Sequence, residues 1–347
     1  MKLITIDMIN DILENSKNDY QEMYNIKGKN ICQIATQVYN SLSLQPMMNS
    51  DFDYVGLSSE EIVQVVYDYF EKLDPSLKLV QTIKHYVDGN GNINIYEPSS
   101  DKTRKTSVRT ENGMILAEIY PKNDTSAFYT FAETFINILN ANGTNINNRF
   151  SLLQTQFIRD TLSDYLINNN IVNNVEGKKM IIRNINYVRG LSLEILMKNY
   201  INKYLDSNPK FDMKFVYEFA KTFNYSPENA INYLYAYVNE NLEECHADAE
   251  KMFYGNILGE RLYELYKKDQ KGTIDNLKEY ILKENYLSYE DGIKTLGLVP
   301  EENPKDELDF FLKGYTIYAL NNLSNYTDGF IKRNRIFDGI IKRGLIK

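Results

Sequence analysis

The chain of 347 residues is poor in the residues that most often carry enzyme chemistry. It has two histidines, His85 and His246, two cysteines, Cys32 and Cys245, and no tryptophan. With two histidines, chemistry that uses an imidazole as general base or metal ligand has few candidates. Two cysteines are too few for a disulfide framework, so we expect a reducing compartment such as the cytoplasm rather than secretion.

Positive charge and long apolar runs are also scarce. The 39 Lys and Arg residues are outnumbered by 47 Asp and Glu, which gives a net charge of −8. A general binder of nucleic acid or of anionic membranes needs a positive field, so this balance argues against both classes. No apolar run has the length of a membrane span. Polar residues at positions 7, 10 and 11 interrupt the apolar start, which predicts no signal peptide.

Several catalytic motifs are missing as well. The chain has no phosphate-binding Gly-x-x-x-x-Gly-Lys-Ser/Thr, no complete dinucleotide-binding glycine motif and no Gly-x-Ser-x-Gly elbow. What is present is a globular composition, with 43% hydrophobic and 25% charged residues. The length suits one large domain or two lobes. Neither composition nor length selects a reaction.

The order of predicted elements indicates a predominantly α, α+β fold. Ser58 and Glu61 form a capping box before a helix that ends at Asp74-Pro75. Strands are predicted at 79–87 and 93–96 and in a hairpin closed at Asn112-Gly113. Beyond residue 125 the pattern is helical, with helices predicted at 126–140, 148–168, 190–205, 212–223, 227–239, 241–268, 273–284, 288–296 and 305–322. We therefore expect an α+β lobe with a short sheet over residues 1–125, a larger helical lobe over 126–330, and a basic tail over 331–347.

Two polar clusters are weak candidates for metal sites. From Asp88, a calcium loop would need glycine at the sixth position and a carboxylate at the twelfth, where the chain has Ile93 and Ser99, so a turn is the better interpretation. In residues 243–250, the pairs Cys245/Asp248 and His246/Glu250 have helical spacing but lie on neighbouring faces, which favours an ordinary helix start. The basic tail is interpreted as solvated or packed back, with a docking peptide or a nucleic-acid contact as alternatives.

Residues 105–166 resemble the catalytic segment of a gluzincin-type zinc peptidase. A predicted strand at 115–120, a polar turn with Asp124, and an apolar helix at 126–140 follow one another as they do around a His-Glu-x-x-His motif. Residues 149–166 resemble the helix that supplies the third zinc ligand. Residues 252–266 and 289–297 resemble the closing helices of thimet-oligopeptidase-like enzymes. The resemblance extends over residues 55–300, and an unrelated α-rich fold is the alternative.

The resemblance implies a metallopeptidase that has lost its metal. Glu133 matches the glutamate that activates the zinc-bound water, while Ala132 and Ile136 match the two histidines. Gln154 is the nearest match to the third ligand. Alanine and isoleucine cannot coordinate zinc and glutamine is a poor ligand, so no metal and no cofactor is expected. On an apolar helix Glu133 needs a partner, for which Arg149, Tyr129 or water are the candidates, or it must be held neutral at a cost.

The resemblance also implies a groove for an extended peptide along an edge strand at 114–120. The residues predicted to line it are Met114, Ile115, Leu116, Tyr120, Tyr129, Glu133 and Tyr254. The occupant is expected to be a protein or peptide partner, or the tail itself. The adjacent helix should bury Phe128, Phe131, Phe135, Ile138 and Leu139.

These observations lead to one hypothesis with two alternatives. The leading hypothesis is a catalytically inactive, zincin-like protein that acts as a binding or scaffold module, with a phage or mobile element as a candidate origin. It would act in the cytoplasm, or in the virion if a phage encodes it. The alternatives are an active hydrolase that uses carboxylates or a non-standard metal site, and a structural component of a virion or assembly.

Overall fold

The computed structural model describes residues 4–15, 28–43, 53–73, 79–90, 92–101, 103–141, 151–239, 242–283 and 289–298. Over these residues the chain is mostly helical and has one small three-stranded sheet, which confirms the predominantly α, α+β fold class. No described helix combines the length and the apolar character needed to cross a membrane. The basic tail, the predicted helix at 305–322 and the side chains of Cys245 and His246 lie outside the described residues.

The helices and strands follow one another along the chain in this order. The helices are α1 (Ile6–Asn15), α2 (Gly28–Ser43), α3 (Ser59–Leu73), α4 (Leu79–His85), α5 (Ser126–Ala141), α6 (Ser151–Asn168), α7 (Asn174–Leu205), α8 (Met213–Phe223), α9 (Pro227–Asn239), α10 (Leu242–Lys268), α11 (Gln270–Lys283) and α12 (Tyr289–Thr295). The strands are β1 (Asn92–Ile95), β2 (Ser107–Glu111) and β3 (Met114–Ile119).

The predicted capping box at the start of α3 is confirmed. The amide of Glu61 donates to Ser58 Oγ over 3.3 Å, and the amide of Ser58 donates to Glu61 Oε2 over 2.8 Å. Two amides that the first helical turn leaves without partners are thereby satisfied by side chains. The bond from the Ser58 amide lowers the pKa of the Glu61 carboxyl, and so does the Ser58 hydroxyl, which also donates to Glu61 Oε2, over 3.0 Å.

The sheet has the strand order β1-β3-β2, so β3 is its central strand. β2 and β3 form the predicted antiparallel hairpin around Asn112 and Gly113, which have φ values of 51° and 77°. β1 pairs with the other side of β3 in parallel, with Asn92 opposite Leu116. The prediction of an edge strand at 114–120 is therefore wrong, because a parallel partner from earlier in the chain covers that edge.

The predicted strand at 79–87 is also wrong. Residues 79–85 form α4, and residues 86–90 continue it as one wider helical turn. Val80 and Ile83 are buried at 5% and 0% exposure. Their spacing of three residues places both on one face of a helix, and the short apolar run by itself does not distinguish this pattern from a strand.

The predicted helix at 126–140 is confirmed as α5 and lies in the core. Phe128, Phe131, Phe135 and Ile138 are each 0% exposed, and the Leu139 side chain lies outside the described residues. α5 packs against α3, α6, β2 and β3. The rings of Tyr67 and Phe135 stack with their centroids 5.6 Å apart. This helix therefore joins the sheet and its neighbouring helices in one core.

The chain divides into two compact units. The first unit comprises Met1–Pro46 and Tyr187–Phe253, and the second unit comprises Met47–Asn186 and Tyr254–Lys347. The predicted boundary at residues 125 and 126 falls inside the second unit, because the sheet packs directly on α5. α7 and α10 each contribute residues to both units.

The first unit has an aromatic core formed by α1, α8, α9 and the end of α7. Phe211 stacks on Phe215 with ring centroids 5.3 Å apart, and Phe215 packs against the tilted ring of Phe219 with centroids 6.0 Å apart. Asn10 of α1 connects to the segment before α8 through two buried hydrogen bonds. Its Nδ2 donates to the Phe211 carbonyl over 3.0 Å, and its Oδ1 accepts from the Phe211 amide over 2.8 Å.

Candidate functional site

The α5 positions that the resemblance assigns to zinc-binding histidines are packed against the rest of the protein. Ala132 is 0% exposed and Ile136 is 6% exposed. Neither hydrocarbon side chain offers a metal ligand. Solvent barely reaches either position, whereas a catalytic zinc keeps an open coordination position.

Glu133, the match to the catalytic glutamate, is held by an ion pair. Arg159 of α6 donates a hydrogen bond from Nε to Glu133 Oε1, and the two side chains are 23% and 26% exposed. Arg149, Tyr129 and water were the predicted partners of Glu133, and Arg159 was not among them. Arg149 lies outside the described residues. A carboxylate that accepts a charge-assisted hydrogen bond from a guanidinium is stabilised as an anion and oriented toward that cation.

Tyr129 points into the interior between α5 and α6. It is 3% exposed, and its hydroxyl shares a hydrogen bond of 2.9 Å with Ser163 Oγ. Burial raises the pKa of its hydroxyl above the ordinary value, which keeps it neutral. Tyr129 therefore contributes to the packing of the two helices and does not line a groove.

The strand residues predicted to bind a partner lie on opposite faces of the sheet. Met114 is 52% exposed and Leu116 is half-buried, whereas Ile115 is 5% exposed and faces the core. Tyr120 is half-buried and stacks on Tyr96 with ring centroids 4.2 Å apart. The alternation of a strand separates these residues, so they form no single surface. The side chains of Tyr254 and Gln154 lie outside the described residues.

Arg104 extends the stack of Tyr96 and Tyr120 on the solvent side of the sheet. Its guanidinium carbon lies 5.5 Å from the Tyr120 ring centroid, within the range of a cation–π contact. A hydrogen bond with Tyr96 is the largest cause that raises the pKa of Tyr120, to about 12. Tyr120 was among the predicted site residues, but Tyr96 and Arg104 were not.

The outer edge of β2 carries backbone groups without a strand partner in the described part of the chain. Asn112 and Gly113 close a two-residue turn, so Glu111 and Met114 form a hydrogen-bonded pair, and such pairs alternate along an antiparallel ladder. The N–H and C=O groups of Val108 and Thr110 therefore point away from β3. Among the described strands, β3 alone pairs with β2.

A buried acidic group between α6 and α10 was not predicted. Asp160, Glu260 and Gln156 are 2%, 1% and 1% exposed. Gln156 Nε2 lies 3.3 Å from both carboxylate oxygens of Asp160, so it donates to that carboxylate. Neither carboxylate oxygen of Glu260 accepts a hydrogen bond in the described structure. Burial, then the charge of Asp160, raises the pKa of Glu260 well above its ordinary value.

One sequence signal pointed to Glu260. Ile257 and Tyr263, three residues before and after it, are both buried, at 1% and 8% exposure. An acid enclosed by apolar residues at helical spacing is expected to face the core. The position of Asp160 close to it depends on the tertiary fold.

The described residues contain no group of three or more His, Cys, Asp or Glu side chains placed to hold a metal ion. Comparison of the chain with protein-family models, with curated proteins and with solved structures finds no match.

Proposed function

We propose that this chain is a non-catalytic, zincin-like protein that serves as a binding or scaffold module. The observation that carries the proposal is the ion pair of Glu133 with Arg159 beside the packed side chains of Ala132 and Ile136. A zinc peptidase needs two imidazoles, a third ligand and an open position at this place, with the glutamate free to take a proton from the bound water. In this chain an arginine holds that glutamate.

The proposed binding site is the outer edge of β2. The central place of β3 removes the groove predicted along 114–120, but strand addition needs only a free edge. Val108 and Thr110 each present one backbone N–H and one C=O at this edge. β2 packs against α5, which holds the strand in place. An extended segment of a partner protein could therefore continue the sheet beyond β2.

The charges next to this edge favour a partner segment with alternating charge. Arg109 and Glu111 lie on the same exposed face of β2, and Arg109 Nε is 3.0 Å from Glu111 Oε1. A partner strand with an acid opposite Arg109 and a base opposite Glu111 would gain about 0.2–1 kcal/mol for each cross-strand pair. Because association costs at least about 4 kcal/mol, such a partner must also bury apolar surface. The exposed Met114 beside Glu111 offers some of it.

The first experiment tests the non-catalytic part of the proposal. We expect purified protein to carry no stoichiometric zinc by elemental analysis and to cleave no peptide in a mixed peptide library. The variant Arg159→Ala frees Glu133 and serves as the control, and we expect it to be equally inactive because the ligands are still missing. One equivalent of zinc in the wild type would contradict the proposal.

The second experiment tests the edge of β2. Peptides selected from a displayed random library on the wild type should bind Thr110→Ala, which keeps the backbone N–H. They should lose binding to Thr110→Pro, which removes that N–H at an edge position where proline is tolerated. Circular dichroism should show that both variants are folded. Selected peptides that bind both variants equally would contradict strand addition at this edge.

The buried acids give little support to the alternative of a carboxylate-based hydrolase. Such an enzyme needs two carboxyl groups that flank the bond of a bound substrate. Asp160 and Glu260 are 2% and 1% exposed, so neither is reached by a solvated substrate in this conformation.

A further inference from the structure

Of the two buried carboxyl groups near Gln156, that of Glu260 has no hydrogen-bond donor in the described structure. Both oxygens of Glu260 are buried and accept no hydrogen bond within the described residues, whereas Asp160 receives Gln156 Nε2 at both of its oxygens. We propose that Glu260 holds a proton beside the charged Asp160, so that the second unit contains a buried proton-binding site. This inference does not depend on the zincin-like proposal.

The hydrogen bonds assign the proton to Glu260. A buried carboxylate with no donor loses the solvation of water and gains nothing in return, so neutralisation is its cheapest state. Asp160 is the better anion, because an amide N–H faces both of its oxygens. Two buried carboxyl groups near each other also repel when both are charged, so the second charge costs more than the first.

The other groups that act on Glu260 do not remove the need for a proton. Glu264, one turn further along α10, adds negative charge, and Arg261 opposes it with positive charge. Burial lowers the pKa of Arg261 itself. Desolvation outweighs the attraction of Arg261, since the net effect raises the pKa of Glu260.

Three tyrosines surround Asp160 and stay neutral. Burial is the main cause that raises the pKa values of Tyr69, Tyr129 and Tyr263, and the charge of Asp160 contributes to each. Tyr69 shares a hydrogen bond of 2.6 Å with Thr161 Oγ1, and Tyr263 donates to Asp164. These neutral tyrosines therefore provide no cation that would stabilise a second carboxylate.

The proposal makes stability depend on pH in a defined direction. Above pH 4.5, the ordinary value for a glutamate, the unfolded chain releases the Glu260 proton while the folded protein retains it. The folded state then binds more protons, so its stability falls as the pH rises. This loss continues until the pH passes the raised pKa of the folded state. One proton changes the unfolding equilibrium constant by up to about tenfold per pH unit over that range.

The test compares the wild type with Glu260→Gln in urea unfolding followed by circular dichroism between pH 5 and pH 9. Glutamine keeps the shape of the protonated acid and cannot ionise. We expect the unfolding constant of the wild type to rise relative to that of Glu260→Gln as the pH rises. Glu279→Gln, an exposed change on α11, is the matched control and should run parallel to the wild type. A constant difference between wild type and Glu260→Gln across this range would overturn the proposal.

A spectroscopic readout detects the proton itself and also covers a failure of Glu260→Gln to fold. The infrared C=O band of a protonated carboxyl group should be present in the wild type at pH 7. In Asp160→Asn the neighbouring charge is gone, so the band should disappear at a lower pH than in the wild type. Absence of the band at pH 7 would overturn the proposal. So would a wild-type stability that depends on sodium, potassium or calcium at fixed pH, because a cation would then hold the pair.

Discussion

Glu176 at the start of α7 connects three segments of the second unit, and its removal should be costly. The residue is 3% exposed. Its Oε2 accepts from the amide of Asp53 and from the hydroxyl of Thr125, both over 3.0 Å. Its Oε1 forms an ion pair with Lys179. One carboxylate thus joins the segment before α3, the turn before α5 and the first turn of α7.

The structure sets the expected cost of Glu176→Ala at about 3–5 kcal/mol, the range for breaking a buried ion pair. The change leaves the buried hydroxyl of Thr125 without its acceptor, and each hydrogen bond to a charged group contributes about 1.5–3 kcal/mol. It also removes the partner that contributes most to the raised pKa of Lys179, which keeps its second partner, Asp53. Glu176→Gln keeps an acceptor oxygen and loses the charge, so we expect about 1–2 kcal/mol.

The assay is urea unfolding followed by circular dichroism, with hydrogen exchange of the α5 amides as a local readout. A double-mutant cycle with Lys179→Met separates the ion pair from the hydrogen bonds, and we expect a coupling energy of about 0.5–3 kcal/mol between the two positions. A cost under about 1 kcal/mol for Glu176→Ala would contradict the connecting role of Glu176. An equal cost for Glu176→Gln and Glu176→Ala would contradict it as well.

Two further predictions concern local packing and capping. Phe131 is 0% exposed, so Phe131→Ala should lower the free energy of unfolding by about 3–5 kcal/mol through loss of burial and the cavity left behind. Phe131→Leu should cost less in the same urea titration. A wild-type unfolding midpoint for the alanine variant would contradict the position of α5. Asp212 Oδ1 accepts a hydrogen bond from the Phe215 amide over 2.7 Å, which caps the start of α8. Asp212→Ala should therefore lower the free energy of unfolding by about 1 kcal/mol, whereas Asp212→Asn should stay close to the wild type. Equal losses of stability in the two variants would show that the cap contributes nothing.

Local sequence chemistry predicted the parts of the fold that local contacts determine. The capping box of Ser58 and Glu61 and the turn at Asn112-Gly113 need only residues a few positions apart. α5 was predictable because its phenylalanines repeat at helical spacing. The first half of α7 was missed because Gly177 and several asparagines weaken the helical pattern. Gly177 has a packing reason, since a Cβ there would clash with the side chain of Ile167 of α6.

The errors in the sheet arose from a contact that local patterns do not encode. Turn chemistry placed β2 next to β3, but nothing near residue 114 indicated that β1 would pair in parallel with the other side of β3. Parallel pairing joins strands that are distant in sequence, and the alternating burial of β3 is compatible with an edge strand as well as with a central one. For this reason the strand that was predicted at the edge is the central strand, and β1 and β2 are the edge strands of the described sheet.

Glu133 and Glu260 show why the candidate site was only partly predictable. Both are acids on a helix with apolar residues close by in sequence, although Glu260 also has the charged residues Arg261 and Glu264 within one turn. Glu133 lies where α6 brings Arg159 to it, at 26% side-chain exposure, and forms an ion pair. Glu260 is 1% exposed, and the charged group of α6 that acts on its pKa is the acid Asp160, which raises it. Both partners come from the same helix, and its two adjacent residues 159 and 160 carry opposite charge. The α6 residue that faces each glutamate therefore determines whether a cation compensates its negative charge or a proton neutralises it.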